Sequence, residues 1–396
     1  MKQFQETTNV PQPEEPLWNK NPEALEGMIS EALAIATETQ GPEKIAELQV
    51  ALAYTLMYQR KLAEARHVIR SALNTLPGYG QALWCEAQLA MFLDGWPAAW
   101  EKLEARWQVG YSGDRPIPLE KTWDGSVPLA GRPILLAGEG ALGDQIQFVR
   151  FASQLKSAGA GLITVSTHPK LIPLISGVKG LDAVVPAGSK SNLPEYDLGI
   201  PMLSVPFLLG TTVETLPATV PYLTAPVDRV AQAAHKIVER GASLNVGLCW
   251  RSARNVRCLP LKLFRPLAEV PGVQLFGIGE KTDIEREASG FPIISLGDTD
   301  LVTAAGVIAA LDLIITVDTL STHLAGALAK PVWTLLNYVP DWRWGIKDET
   351  TRWYPTMRLF RRESRDWASV IQRVAEELHA LNSHSLQQTS SRCFDI

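Results

Sequence analysis

Short apolar runs that break at glycine or a small polar turn and then give way to a helical pattern occur in two series along this chain. The first includes "RPILLAGEG", "LITVS", "DAVVP" and "YDLGI". The second includes "NVGLCW", "VQLFGIG", "PIISLG", "DLIITVD" and "PVWTLL". Runs this short and this uniformly apolar need cover on both faces, and the helical stretches between them can supply it. The pattern therefore requires βαβ units around parallel sheets. Proline-rich "PATVPYLTAPVD", residues 217–228, separates the series. Two such domains in tandem place a cleft between the carboxyl ends of their sheets, where ligands bind at the points of strand-order reversal.

A different grammar precedes them. Ala53, Ala65 and Ile69 return as Ala87, Ala99 and Leu103, a spacing of 34. Pro77 closes the first unit, because proline cannot continue a helix. Small residues at that spacing let paired helices approach closely, as tetratricopeptide repeats require, and a generic helical bundle is the alternative. The expected organisation is a disordered 1–21, a tetratricopeptide-repeat domain over 22–110, and α/β domains over 111–227 and 228–381. The last ends in a helix near 366–381, and 382–396 is expected to be a flexible tail.

Charge narrows the function classes. The 396 residues hold 37 basic and 42 acidic side chains, a net −5, which advertises neither nucleic acid nor an anionic membrane. Apolar runs stay below the ~18 residues of a membrane span. The start lacks a basic then apolar leader, and the four cysteines show no metal-binding or disulfide spacing. A reduced, cytoplasmic protein is expected.

Four stretches could carry chemistry. In "GEGALGDQIQFVR", residues 138–150, the glycines spell GxGxxG, but "GLITVSTHPK" supplies no acid where a dinucleotide site needs one. Asp144 then reads either as a helix cap or as a carboxylate placed to take a proton from a hydroxyl. In "CWRSARNVRCLPLKLF", residues 249–264, Arg251, Arg254, Arg257 and Lys262 leave a strand end together. They make a diphosphate clamp or a basic surface loop. Around Asp318, the hydroxyls of Thr319, Ser321 and Thr322 and the free amides of a helix start form a ready anion site. Asp318 would repel an anion and suits sugar hydroxyls. His323 is either a donor to that site or a satisfied core residue. Finally, Trp342, Trp344, Trp353 and Tyr354 crowd beside Arg343, Arg352 and Arg358. They could stack on a base or sugar, or seal a loop as an aromatic core.

"GDQIQFVR", "RCLPL", "DTLSTHLAGALAKPVW" and "VPDWRWGI…WYPTMRLFRR" together resemble the bacterial tetratricopeptide-repeat glycosyltransferases related to the lipopolysaccharide heptosyltransferases (glycosyltransferase family 9), and more distantly the O-GlcNAc transferases. The likeness runs over about residues 45–380. It implies a GT-B fold, two Rossmann-like domains preceded here by the all-α repeat domain. The donor would sit in the C-terminal one and the acceptor on the N-terminal side. On that likeness Asp144 matches the catalytic base, and Arg257 stands where the family places a phosphate-binding lysine. Asp318 matches the residue that holds donor-sugar hydroxyls, with Thr319 to His323 at the phosphates and Arg251 and Ser252 in the donor loop. Two departures stand out. Where the family reads EQGLGD, this chain reads Glu139-Gly140-Ala141-Leu142-Gly143-Asp144, and the loop between Trp250 and Arg257 is shorter than usual.

The expectation is transfer of a hexosyl or heptosyl group from a nucleotide sugar, UDP- or ADP-linked, to a protein or glycan acceptor. No tightly bound cofactor or metal is expected, because helix amides and cations can hold the leaving diphosphate. The repeats would present the acceptor. The alternative is a catalytically weak or inactive repeat scaffold that binds a nucleotide or a partner protein, which the short loop would favour. An NAD-dependent oxidoreductase has only GxGxxG behind it.

Overall fold

The computed structural model describes residues 21–111, 114–188, 193–238, 242–288, 290–296, 300–364 and 366–392. Four strands, β1 Ile134–Ala137, β2 Ile163–Thr167, β3 Ala183–Pro186 and β4 Leu198–Pro201, form a parallel sheet in the order β3-β2-β1-β4. Six more form a second parallel sheet: β5 Leu244–Cys249, β6 Val273–Gly277, β7 Ile293–Ser295, β8 Leu313–Val317, β9 Val332–Leu336 and β10 Met357–Arg361. Its order is β10-β9-β8-β5-β6-β7. The central strands β1, β8 and β9 are buried along their whole length, which is why they read as unbroken apolar runs.

Both sheets reverse their strand order once, and the reversals position the site. In the first, β1 lies beside β4, with Ala137 opposite Pro201. In the second, β5 lies beside β8, with Cys249 opposite Thr316. The loops that leave those four strands at their carboxyl ends are the ones the sequence marks: 138–144, the turn after Pro201, 250–258 and 318–322.

Ahead of the sheets, helices Pro22–Thr39, Pro42–Tyr58, Leu62–Thr75 and Gly80–Leu93 pack in succession. Prolines open the first two, where their missing N–H costs nothing, and the Asn21 side chain accepts from the Ala24 amide at 3.1 Å. The repeating small residues Ala53, Ala65, Ala87 and Ala99 are fully buried at the helix contacts. The second unit departs from the first after Gly95. Its second helix is only Trp96–Trp100, and the chain then tightens into 3₁₀ turns over Glu101–Trp107. At the other end the closing helix does not stop near 381 but runs Ala368–Arg392, since nothing in that stretch is proline or glycine to break it. The expected disorder of 1–20 and of 393–396 falls outside the described residues.

Arg106 fastens the helical segment to the first sheet. Its Nε and Nη2 each reach an oxygen of Glu139 at 2.9 Å, and Nη2 also donates to Ser204 Oγ at 2.7 Å. Glu139 accepts in turn from the Leu203 amide at 2.9 Å, so one buried pair joins the helical segment to the ends of β1 and β4. A second attachment reaches the other sheet. Arg60 Nε donates to the Tyr338 carbonyl at 2.7 Å, and its guanidinium lies 4.0 Å from the Tyr338 ring centroid. Aromatic rings complete the joint. Trp96 and Trp100 of the helical segment meet Trp353 at 5.0 and 6.4 Å, and Phe148 meets the same ring at 5.6 Å.

Removing one partner of the Arg106–Glu139 pair strands a buried charge. Arg106→Met is expected to cost about 3–5 kcal/mol in urea unfolding, and Arg106→Met/Glu139→Gln is expected to recover a substantial part of that loss.

Candidate functional site

Asp144 occupies the third position of the helix Leu142–Phe148, and both of its oxygens are engaged. Oδ2 accepts from the Ala141 amide at 2.7 Å, capping the helix start, and Oδ1 pairs with Arg343 Nη2. The sequence left cap and reactive carboxylate as alternatives; the carboxylate does cap, and it also carries a buried ion pair.

From Arg343 the charges continue. Its Nη1 lies 2.9 Å from Asp341 Oδ1, and its Nε donates to Gln147 Oε1 at 2.6 Å. The second oxygen of Asp341 lies 3.2 Å from Arg257 Nη2. Arg257 Nη1 in turn lies 2.9 Å from Asp318 Oδ2. Three carboxylates and two guanidiniums thus alternate from the end of β1 to the end of β8. Burial shapes the response of each. It lifts Asp318 above the usual carboxylate range despite Arg257 beside it. Asp341 is partly enclosed as well, yet Arg343 and Arg257 together overcome burial and hold it far below that range. Burial opposes the charge on Arg343, but Asp341 and Asp144 outweigh it and fix the guanidinium in its charged form.

The remaining candidates divide between this chain of charges and its support. Arg251 turns to Glu287, whose other oxygen accepts from Trp250 Nε1 at 2.6 Å. Ser252 Oγ donates to the Asp318 carbonyl at 3.4 Å. Arg254 is exposed and makes no ion pair among the described residues. Thr319 is the extended N-cap of the helix Leu320–Ala327. Thr322 Oγ1 accepts from the Thr319 amide at 3.3 Å and donates to the Val317 carbonyl at 3.0 Å, so that hydroxyl closes the turn. Ser321 Oγ faces Cys249 Sγ at 3.6 Å.

His323 is buried. Its Nδ1 lies 3.0 Å from the Tyr354 hydroxyl, and its ring stacks on Trp344 with centroids 5.5 Å apart. Its other side meets Gly143, where an added Cβ would come 2.8 Å from Cδ2. Glycine at 143 therefore lets the two helix starts touch. Asp144 and the 319–323 turn are joined through packed side chains rather than facing each other across an open gap. Trp344 and Tyr354 are spent enclosing the histidine. Trp342 packs edge-on against Trp100 at 5.7 Å and stacks with the Arg343 guanidinium at 4.4 Å.

Open space lies to one side. A cavity of about 620 Å³ is lined by Arg257, Asp318, Asp341 and Trp342 on one wall and by Tyr54 and Tyr58 on the other. Asp144 does not line it. No group of side chains suited to a metal ion occurs among the described residues. The sequence does carry a DxD triplet, Asp298-Thr299-Asp300; Asp300 caps the helix Leu301–Ala310, and the other two lie outside the described residues.

Asp341 and the tyrosines of the helical segment were not singled out from the sequence. Asp341 stands two residues from Arg343 inside "DWRW", a local pairing that was legible. The tyrosines reach the site only through the docking of the helices, which leaves no local mark.

Burial, reinforced by Arg343, holds the His323 ring well below the ordinary histidine value of 6.5. Unfolding frees the ring to take a proton that the folded site refuses. Its stabilising contribution is therefore complete above about pH 6.5 and is lost as pH falls below it. His323→Gln is expected to flatten the decline in melting temperature between pH 7 and 5.5 relative to wild type, in thermal unfolding followed by circular dichroism.

Residues 261–352 match the family described as glycosyltransferase family 9 (heptosyltransferase). That segment holds Asp318, the 319–323 turn, Asp341 and Arg343; Asp144, Arg251, Arg257 and Tyr354 lie outside it. The protein FlbA of Caulobacter vibrioides is 26% identical over 313 residues, covering 70% of this chain and 52% of FlbA. The chain thus spans about half the length of that curated relative. Among solved structures, a glycosyl transferase family 9 protein from Veillonella parvula is similar at a TM-score of 0.47 and 14% identity, over 61% of this chain and 88% of that one. The E. coli ADP-heptose lps heptosyltransferase II is similar at 0.46 and 17%, over 65% and 99%. The match over residues 261–352 supports a glycosyltransferase.

Proposed function

We propose that the chain transfers a sugar from a nucleotide-sugar donor, UDP- or ADP-linked, to a protein or glycan acceptor without a bound metal. The parallel sheets are read as the two Rossmann-like halves of a GT-B fold, and the helices of 22–107 as a tetratricopeptide-repeat domain that presents the acceptor. The setting is the cytoplasm; no described helix is long and apolar enough to cross a membrane. The observation that carries the reading is the unbroken run of ion pairs from Asp144 to Asp318. It fixes the carboxylate matched to the family's base relative to the cavity-lining carboxylate matched to its sugar ligand.

In this reaction the acceptor hydroxyl gives its proton to Asp144 as its oxygen bonds to the anomeric carbon. The bond from that carbon to the diphosphate breaks, and its electron pair leaves on the diphosphate oxygen. Arg257 and the exposed Arg254, both of which line the cavity, stabilise that charge, together with the amides at the start of Leu320–Ala327, which follows the cavity-lining Asp318. Asp318, with its proton affinity raised by burial, suits hydrogen bonding to sugar hydroxyls. Arg343 holds Asp144 in one orientation.

A second reading draws on the same contacts. Arg257 has both arms on carboxylates, and Asp144 sits behind packed side chains and away from the cavity. A closed arrangement of this kind suits a repeat scaffold that binds a nucleotide or a partner with little or no turnover.

Sugar transfer or donor hydrolysis, followed by mass spectrometry across UDP- and ADP-sugars, separates the two. Asp144→Asn is expected to lower turnover by about 10²-fold or more while nucleotide affinity stays within a few-fold of wild type. Nucleotide binding by wild type with no transfer or hydrolysis of any donor would favour the scaffold.

A further inference from the structure

The cavity beside Asp318 has two walls from distant parts of the chain. One carries Arg254, Arg257 and Asp318; the other carries Tyr54, Tyr58 and Gln88 from the helices Pro42–Tyr58 and Gly80–Leu93. We propose that a nucleoside-diphosphate sugar binds between them, its diphosphate on Arg254 and Arg257 and its ring portion against Tyr54, Tyr58 and Gln88. The helical segment is then part of the donor site itself. This rests on the nucleotide-sugar reading above and assigns residues to it that the family 9 segment does not contain.

Several observations favour the donor as the occupant. The cavity's volume, about 620 Å³, falls within the range of small-molecule sites. It opens onto the arginines and onto Asp318 but not onto Asp144, so it lies on the donor's side of the run of ion pairs. Tyr58 stands in the field of both arginines: burial raises its hydroxyl pKa, and Arg254 and Arg257 oppose the rise. The helical wall is ordered before any ligand arrives. Gln88 Nε2 donates to the Tyr54 hydroxyl at 2.9 Å, which fixes the ring edge and the amide as one surface. Aromatic faces and an amide suit a base or sugar ring, and the cations opposite suit phosphate. Arg60 donates to the carbonyl of Tyr338, which lines the cavity, and so ties the helical segment to the opposite wall.

Gln88→Glu tests the assignment with a nearly isosteric change that sets a negative charge opposite the arginines. Gln81→Glu, exposed on the same helix and away from the cavity, is the charge control. Binding of ADP, UDP and GDP to the full chain is measured by isothermal titration, with the unliganded melting temperature of every variant recorded. For whichever diphosphate binds wild type, Gln88→Glu is expected to weaken binding about tenfold or more, and Gln81→Glu less than twofold. Tyr54→Leu, which removes the ring from the wall, is expected to weaken it by at least about fivefold. Arg257→Gln reports on the underlying reading and is expected to lose binding. Unchanged affinity in both Gln88→Glu and Tyr54→Leu, with loss in Arg257→Gln, would overturn the helical wall and leave the donor reading standing. Absence of binding by wild type, or unchanged binding by Arg257→Gln, would overturn both.

Discussion

Asp144, Arg343, Asp341, Arg257 and Asp318 form one run of alternating charge, and each inner member is shared between two partners. Such a run is costly to bury, because every group gives up water, and sharing is what keeps the cost tolerable. Asp341 receives two guanidiniums and Arg343 two carboxylates, so neither is left with half a partner. The run links loops at the carboxyl ends of both sheets, from β1 on one side to β5 and β8 on the other. The relative position of the two sheets is thus set partly by charge and partly by the packed contact of Gly143 with His323.

The helical segment is tied into the same assembly. Arg106 reaches the ends of β1 and β4 through Glu139, Arg60 reaches the loop after β9, and Trp96 and Trp100 lie against Trp353. These contacts bring Tyr54 and Tyr58 to the cavity opposite Arg257. Arg150 adds a further tie, donating to the carbonyls of Trp353 and Pro217 and to the Tyr222 hydroxyl. Helices that could have stood apart as an appendage instead wall the space where a ligand would sit.

The parallel sheets were legible because central strands must be apolar on both faces, and "ILLA", "LIITV" and "VWTLL" show this directly. The helical pairs were legible from small residues at a fixed spacing. Residues placed at strand ends by that reasoning, Asp144, Arg257 and Asp318, are joined in the structure. Their partners were harder to see. Asp144 could be read as cap or base, but its partner Arg343 lies 199 residues further along the chain, so the pairing leaves no local trace. The aromatic cluster of 342–354 reads the same whether it faces a ligand or a core. Only tertiary packing shows His323 enclosed by Trp344 and Tyr354, and Trp353 against Trp100. The closing helix ran on because the polar stretch from 382 to 392 holds no proline or glycine to break it.

If the five charges act as one unit, removing Arg343 changes what Arg257 contributes, since both hold Asp341. A double-mutant cycle of Arg343→Gln and Arg257→Gln in urea unfolding measures this directly. The expected result is a coupling of about 1–3 kcal/mol between the two substitutions. Additivity within about 0.5 kcal/mol would show two independent ion pairs and contradict the account.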